Sequence, residues 1–476
     1  MLFLAVAVAM ALVYGVWTAW VPLLPANLYT PLLDLGKITG YRWTSAALYL
    51  VIVLLLFVLY AAGYLAVSNG KARTWWIFVA AAVVCAEMVF AYPATAVDIF
   101  GYIAQGRVFA LHHANPFSVA PDAYLSDPIV PFLAYADETA QYGPLWALLG
   151  GGIASLGSGN LLAEVLAYKL LAAVAHLASG AVIFRIAMRI TSDAVRPRAS
   201  AFLFVCNPLL LWEMVANGHN DGLMMLLGLC GAWLFVSHRD LLVLPAIAAG
   251  ALVKAPVALT AAPFFIGVLR RKSSRAVEGA LLAFALAVAV YRPFWQGPDT
   301  LTALKRADLF TASLASVLRL ALSPAVGLPD ASVIARTVSL SGFAVVVVLA
   351  LWLAARAECD ADVLRACYWT LLAGVLLLTT WFQAWYLVWP LAFGAALGES
   401  RRHLEVALLS LGGLLQYFVF IYLWVIDVFP SGDNIGIQFF AYLSIVGPLV
   451  LALGIPLVRG NRGCAARAHR RLKVRR

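Results

Sequence analysis

Charge is what this chain has least of. Only 12% of its 476 residues are Asp, Glu, Lys or Arg, against 64% hydrophobic, and that balance excludes a soluble chain with a water-facing surface. Also missing is the alternation of apolar and polar residues, over about ten residues per strand, that a membrane β-barrel would show. The six cysteines, Cys85, Cys206, Cys230, Cys359, Cys367 and Cys464, are scattered without a CxxC spacing and predict neither a disulfide framework nor a zinc site. No P-loop and no dinucleotide fingerprint occurs. The net charge of +10 is no sign of nucleic-acid binding, because its basic residues fall in short connecting segments and in the last eighteen positions.

What is present is a succession of apolar runs. A bilayer core of about 30 Å takes about 20 apolar residues per helix, and runs of that kind recur along the chain. They predict an all-α fold, a polytopic integral membrane helical bundle of roughly 12–14 membrane helices. The spans expected are Phe3–Leu24, Thr44–Ala66, Trp75–Phe90, Leu162–Ile183, Ala199–Ala216, Gly222–Val236, Ala276–Val290, Val333–Ala355, Val363–Thr380, Trp385–Leu397, Val406–Ile426 and Ile437–Val458. Between Arg239 and Arg270 the apolar stretch is broken at Lys254-Ala255-Pro256, which predicts two half-length helices of about 13 residues and ~20 Å each. The first run lacks a basic leader and a small-residue cleavage site, so it is expected to be a retained helix. Residues 1–458 are expected to form one transmembrane domain, with a large loop at 92–145 and a basic tail at 459–476.

Orientation follows from Lys and Arg in the short loops. Lys71 and Arg73; Arg185, Arg189, Arg196 and Arg198; Arg239; Arg270, Arg271, Lys272 and Arg275; Arg356 and Arg365; Arg401 and Arg402; and the tail are all cytoplasmic on this rule. The assignment closes if Leu145–Leu156 is a juxtamembrane or re-entrant helix and the Lys254 hairpin dips in and returns. Both termini are then cytoplasmic, and the long loop faces outward in the plasma membrane. The basic tail then contacts anionic membrane lipid, worth about 1 kcal/mol per residue near the surface.

That topology gathers the unusual polar segments on one side: the Asp98 loop, Asn217-Gly218-His219-Asn220-Asp221, the Lys254 turn, Tyr291–Trp295, Trp381–Tyr386 and Asp427–Asn434. Polar groups kept at membrane depth usually line a working cavity. Asp98, Tyr102 and Gln105 fall at helical spacing on one face, with Arg107 and His112-His113 following, then an Asn115-Pro116 turn and Tyr142-Gly143-Pro144. Each segment also has a structural reading. Asp98 can be a solvated boundary residue, Asn217–Asp221 a helix cap, Lys254 and Arg292 can snorkel, and Trp381, Trp385, Tyr386 and Trp389 can form an interfacial belt. The His112-His113 pair has no DxD or HxxE spacing beside it, so a divalent metal is not expected.

The ordered series VDIFGYIAQGRVF, ANPF, YGPLW, NGHND, LVKAP, YRPFW and WFQAWYLVWPL, from about Tyr92 to Pro390, resembles the polyprenyl-phosphate-dependent glycosyltransferases of the GT-C superfamily. It is most similar to the bacterial α-mannosyltransferases that use polyprenyl phosphomannose. Many members carry a paired acidic motif, whereas here Ile99 and Phe100 follow Asp98, so the resemblance implies one catalytic carboxylate and no bound metal. It implies transfer of a sugar, mannose by similarity, from a polyprenyl-phosphate-linked donor to a lipid-linked or cell-envelope glycan acceptor at the outer face. The leaving phosphate needs no general acid, so Asp98 would serve as base in an inverting displacement. Arg107, His112, His113, His219, Lys254 and Arg292 form the pool of phosphate ligands. Tyr102, Gln105, Asn115, Tyr142, Asn217, Asn220, Asp221, Trp381, Gln383, Trp385 and Tyr386 would line the sugar, acceptor or lipid site. No cofactor and no nucleic acid is expected. The alternative is a secondary transporter or lipid flippase, whose signature would be broken helices at matching positions of two repeats; one lysine-broken hairpin stands here without a counterpart.

Overall fold

The computed structural model describes residues 1–305, 309–426, 428 and 434–454, apart from the side chains of 302–305 and 453. Its described residues form helices and no strand, with two isolated bridges, Pro22 to Ala91 and Thr311 to Trp381. The all-α membrane architecture read from the apolar runs is the observed one. Among the described residues eight helices are long and apolar enough to cross a bilayer, or nine if the bent pair Arg196–Val205 and Pro208–Ala216 is one span. The other expected spans fall among shorter apolar helices, Thr74–Val89, Asp221–Val236, Asp240–Ala251, Ala255–Leu269 and Ala384–Ala396. One element was not expected: Leu314–Val326, whose Arg319, Ser323 and Pro324 dilute its apolar character below that of a continuous run. Of the polar segment expected at Asp427–Asn434, only 428 and 434 are described, and the basic tail lies outside the described residues.

Connectivity sorts the charges to two ends of the bundle. At one end Arg271 pairs with Asp240 at 2.9 Å and Asp360 at 2.5 Å, and Arg365 with Glu399 at 2.6 Å. There too Arg196 donates to the Gly398 carbonyl, Arg270 to that of Ala354, and Arg402 pairs with Glu405. Helices running away from these groups, Asp360–Ala373, Thr74–Val89 and Arg196–Val205, end where the other polar segments gather. At that end Lys169, inside the 30-residue helix Leu161–Ile190, donates to the Ala91 carbonyl at 2.8 Å and to the Ala216 carbonyl. A single buried ammonium therefore fastens the exit of Thr74–Val89 to the start of the Asn217 turn.

The long loop begins with the helix Asp98–Ala110, which packs on Pro144–Gly157. Contact is close enough that a Cβ on Gly106 would lie 2.5 Å from the Gly150 carbonyl oxygen. Pro144–Gly157, at 14 residues, is about 21 Å long. Its start docks on the Lys254 hairpin through Gly143 N to Val253 O and Leu145 N to Leu252 O, both 3.0 Å. Just past its end, the Gly159 carbonyl accepts from Arg107 at 2.9 Å. Its start thus meets the Lys254 hairpin, and the residues just past its end meet Arg107 of the preceding helix. The hairpin itself consists of Val243–Ala251 and Ala261–Leu269, joined through a tight turn at Ala255–Thr260, and its break at Lys254 matches the expectation.

A Cβ at Gly143 would lie 2.1 Å from the Leu252 carbonyl oxygen and 2.4 Å from its carbon, backbone atoms that cannot swing aside. Gly143→Ala is expected to destabilise the protein by about 1–3 kcal/mol through overpacking, read as a lowered thermal unfolding midpoint in detergent.

Candidate active site

Asp98 is the first residue of its helix and is half-buried. Its Oδ1 accepts the Tyr142 hydroxyl at 2.8 Å, and among the described residues its other oxygen has no hydrogen-bond donor. Burial first, then the Asp98 charge, push the Tyr142 phenol well above its ordinary value, so it stays a proton donor at working pH. Tyr102, one turn on, is buried, and its phenol is raised in the same way by burial and then by Asp98. Its ring packs edge-on to Tyr142 with centroids 5.1 Å apart.

Lys254 approaches Tyr142 from the hairpin, its Nζ 5.4 Å from that ring's centroid and 5.4 Å from that of Tyr386. Such placement over aromatic faces favours a cation. Asp221, fully buried at the start of Asp221–Val236, holds the ammonium at 2.7 Å through Oδ2 and accepts the Trp389 indole N–H at 2.6 Å through Oδ1. The lysine is thereby fixed in direction, with 12% of its side chain exposed. One tyrosine thus joins a carboxylate on its hydroxyl to an ammonium over its ring.

Behind this pair lies the Asn217 turn. Tyr102 Oη lies 3.4 Å from His219 Nδ1 and donates to Asn220 Oδ1, also at 3.4 Å. The His219 ring stacks on Trp385, centroids 4.3 Å apart and 24° between planes. The structure therefore brings together Asp98, Tyr102, Tyr142, Asn217, His219, Asn220, Asp221, Lys254, Trp385 and Tyr386. Gln105 is half-buried on the same helix face as Asp98. Trp381 is tied to Thr311 through the isolated bridge, and Gln383 is half-buried where it begins the Ala384–Leu387 turn.

Other expected ligands do different work. The Arg107 guanidinium is only 3% exposed and is spent on Asp127 at 2.6 Å and Glu164 at 2.7 Å. His112 Nε2 donates to Asp127 Oδ2 at 3.0 Å, and its ring stacks on Tyr124 at 3.9 Å. These contacts close the loop on itself. Asn115 Oδ1 caps the Phe117 amide at 3.0 Å, while its Nδ2 donates to the Phe294 carbonyl at 2.8 Å. Asn115 thus brings the Tyr291–Trp295 segment alongside. His113 and Arg292 are exposed, and neither has a polar partner among the described residues. Among those residues no three His, Cys, Asp or Glu side chains converge on a possible metal position.

Sequence reasoning missed Glu213, Lys169 and Thr95, and read Trp389 only as belt. The first two carried a usable signal, being charges inside apolar runs, LLLWEMVA and LAYKLLA. Thr95 carried none.

Residues 3–271 match the alpha-(1->6)-mannopyranosyltransferase N-terminal domain family. Among curated proteins, the chain is 26% identical over 394 residues to alpha-(1->6)-mannopyranosyltransferase A of Mycobacterium tuberculosis, covering 77% of this chain and 72% of that one. It is 27% identical over 183 residues to alpha-(1->6)-mannopyranosyltransferase A of Corynebacterium glutamicum, 38% of this chain and 36% of the relative. To alpha-(1->6)-mannopyranosyltransferase B of that organism it is 29% identical over 145 residues, 29% and 23% of the two chains. Trp385, Tyr386 and Trp389, which contact His219, Lys254 and Asp221 in turn, lie beyond the matched 3–271.

Two outcomes test the loop's internal bonding. Arg107→Ala leaves the fully buried Glu164 carboxylate without its cation, and is expected to cost about 3–5 kcal/mol, measured by thermal unfolding. Asp127 is pushed up by burial, but the Ile129 amide, His112 and Arg107 outweigh that and hold its carboxyl below the usual range. A carboxyl lowered by folding stabilises the fold at pH above the ordinary carboxylate range, and that contribution is lost as pH falls through the lowered value. Hydrogen exchange at 121–133 is therefore expected to quicken at acid pH before the helices of the bundle do.

Proposed function

Because this chain belongs to the alpha-(1->6)-mannopyranosyltransferase family and is a GT-C type bacterial mannosyltransferase, we propose that it transfers mannose from a polyprenyl-phosphate-linked donor. The acceptor is a hydroxyl of a lipid-linked or cell-envelope glycan, and transfer takes place at the outer face of the membrane. Family membership sets the transporter alternative aside. The observation that carries the reading is the bridge through Tyr142, which puts one acceptor-only carboxylate and one fixed ammonium beside the same cleft.

Asp98 takes the proton of the acceptor hydroxyl on its open carboxylate oxygen as the hydroxyl oxygen bonds to the anomeric carbon. The bond from that carbon to the phosphate oxygen breaks, and the phosphate leaves as an anion. Lys254 faces that developing charge, where an electrostatic partner is worth most. Arg292 and His113, exposed and without protein partners among the described residues, complete the cationic side. Arg107 and His112, already paired to carboxylates, hold the loop instead. Since displacement inverts the anomeric carbon, an α-linked product of the kind named in the relatives requires a β-configured donor. No step calls for a metal.

Support for the outward orientation comes from the sorting of charges, since the basic clusters lie at the end remote from Asp98 and such clusters favour the cytoplasm. The same rule leaves both termini cytoplasmic. Trp385 and Tyr386 offer the aromatic faces suited to a sugar or an isoprenoid.

Asp98→Asn preserves shape and removes the base, and is expected to lower kcat about 10²–10⁴-fold with little change in KM for a polyprenyl-phosphomannose donor. Transfer at full rate by the folded variant overturns the role given to Asp98. An α-configured donor is expected to give no product.

A further inference from the structure

One buried carboxylate, Glu213, lies beside the Asn217 turn and touches none of Asp98, Tyr142 and Lys254 through a hydrogen bond among the described residues. Glu213 sits in the widened π turn Leu211–Ala216 and is fully buried. Placing a carboxylate there is costly unless it is bonded, and single π turns within helices recur at functional sites. Its Oε2 accepts Asn217 Nδ2 at 2.8 Å and lies 3.4 Å from His219 Nε2. Each of these two residues reaches onward to the Asp98 segment. Asn217 Nδ2 also donates to Thr95 Oγ1 at 2.6 Å, three residues before Asp98. His219 Nδ1 meets Tyr102 Oη at 3.4 Å, four residues after it.

Between these two arms the turn lies directly on the helix. Gly218 has φ of +72°, and a Cβ on it would come within 2.9 Å of Ile99 Cδ1. Lys169 fastens the Ala91 and Ala216 carbonyls just outside both arms. The first turn of Asp98–Ala110 is therefore gripped from both sides through a single carboxylate.

We infer that Glu213 is a positioning residue for mannosyl transfer: acting through Asn217 on Thr95 and through His219 on Tyr102, it sets where Asp98 stands relative to Lys254. The inference rests on the assignment of Asp98 as base. Glu213 keeps the Asn217 amide turned so that it serves Thr95 as well, and its carboxylate stands 3.4 Å from His219 Nε2, without a hydrogen bond between them, while Nδ1 of that ring lies 3.4 Å from Tyr102 Oη. Loss of its charge loosens both arms while the donor site, built on Lys254, Asp221 and Trp389, is untouched.

The test uses the full chain, purified in detergent, with a polyprenyl-phosphomannose donor. Glu213→Gln is expected to lower kcat about 10–100-fold, the scale of a small misplacement, with KM for the donor within about twofold. Thr95→Val, which cuts one arm from the accessible side, is expected to lower kcat in the same sense. The double variant should be no slower than the slower single one, because both act through one contact path. Full-rate transfer by Glu213→Gln overturns the inference, as do a raised KM at unchanged kcat and effects of the two substitutions that multiply. Should Glu213→Gln fail to fold, Thr95→Val decides alone, and its full activity overturns the inference. In an Asp98→Asn background Glu213→Gln is expected to add nothing to the residual loss. If Asp98→Asn is itself fully active, the base assignment falls; if it is impaired while Glu213→Gln transfers at full rate, only the positioning role falls.

Discussion

A charge buried in an apolar bundle has to find its partners inside the bundle, and at one end of this protein that requirement ties almost every segment to another. Among the described residues Lys169 has no carboxylate beside it and is satisfied by two carbonyls, one at the exit of a helix and one at the end of a π turn. Asp221 is satisfied by an ammonium from the hairpin and an indole from the C-terminal half. Arg107 is satisfied by Asp127 and Glu164, one from the loop and one from the helix that follows it. Removing any one partner would strand a charge at a cost of several kcal/mol, so these contacts fix the geometry more firmly than apolar packing, which tolerates exchange of like for like.

The backbone breaks follow from the same need. Half-length helices around Lys254 bring a lysine to membrane depth where its neighbours can hold it. Three π segments among the described residues, Leu211–Ala216, Gly374–Leu378 and Phe418–Leu423, lead into the polar end at Asn217, Thr379 and Trp424. In each a helix widens by one residue just before its chain turns, which re-aims the side chains that follow. His219 and Trp385, stacked on one another, come from the segments after two of these turns.

The chemistry is correspondingly sparse. In the proposed mechanism one open carboxylate oxygen and one fixed ammonium serve a reaction whose leaving group is a phosphate, and the other polar groups at this end direct those two. The long loop divides accordingly, with its Arg107, His112 and Asp127 cluster serving its own closure while Asp98 and Tyr142, at either end of it, face the Lys254 hairpin. Because Trp385 and Trp389 contact His219 and Asp221 from beyond residue 271, the N-terminal family region does not complete the site by itself.

Much of this was legible in the residues. Apolar runs of bilayer length determine the all-α class, the broken hairpin is written in Lys254-Ala255-Pro256, and the uneven placement of Lys and Arg sorts the loops into two sets. Asp98, Tyr142, His219, Lys254 and Trp385 stood out because polar and aromatic groups are scarce among so many aliphatic ones. Pairing was not legible. Arg107 and His112 looked like phosphate ligands because a cation's partner is set by what folds against it, and Asp127 and Glu164 lie 20 and 57 residues from Arg107 in sequence. Thr95 gave no sign of its bond to Asn217, 122 residues away. The sequence alone determined which groups had to be satisfied within the membrane protein; only the tertiary structure decided which partner each one took, because in an apolar interior the choice depends on atoms brought within hydrogen-bond distance and not on spacing along the chain.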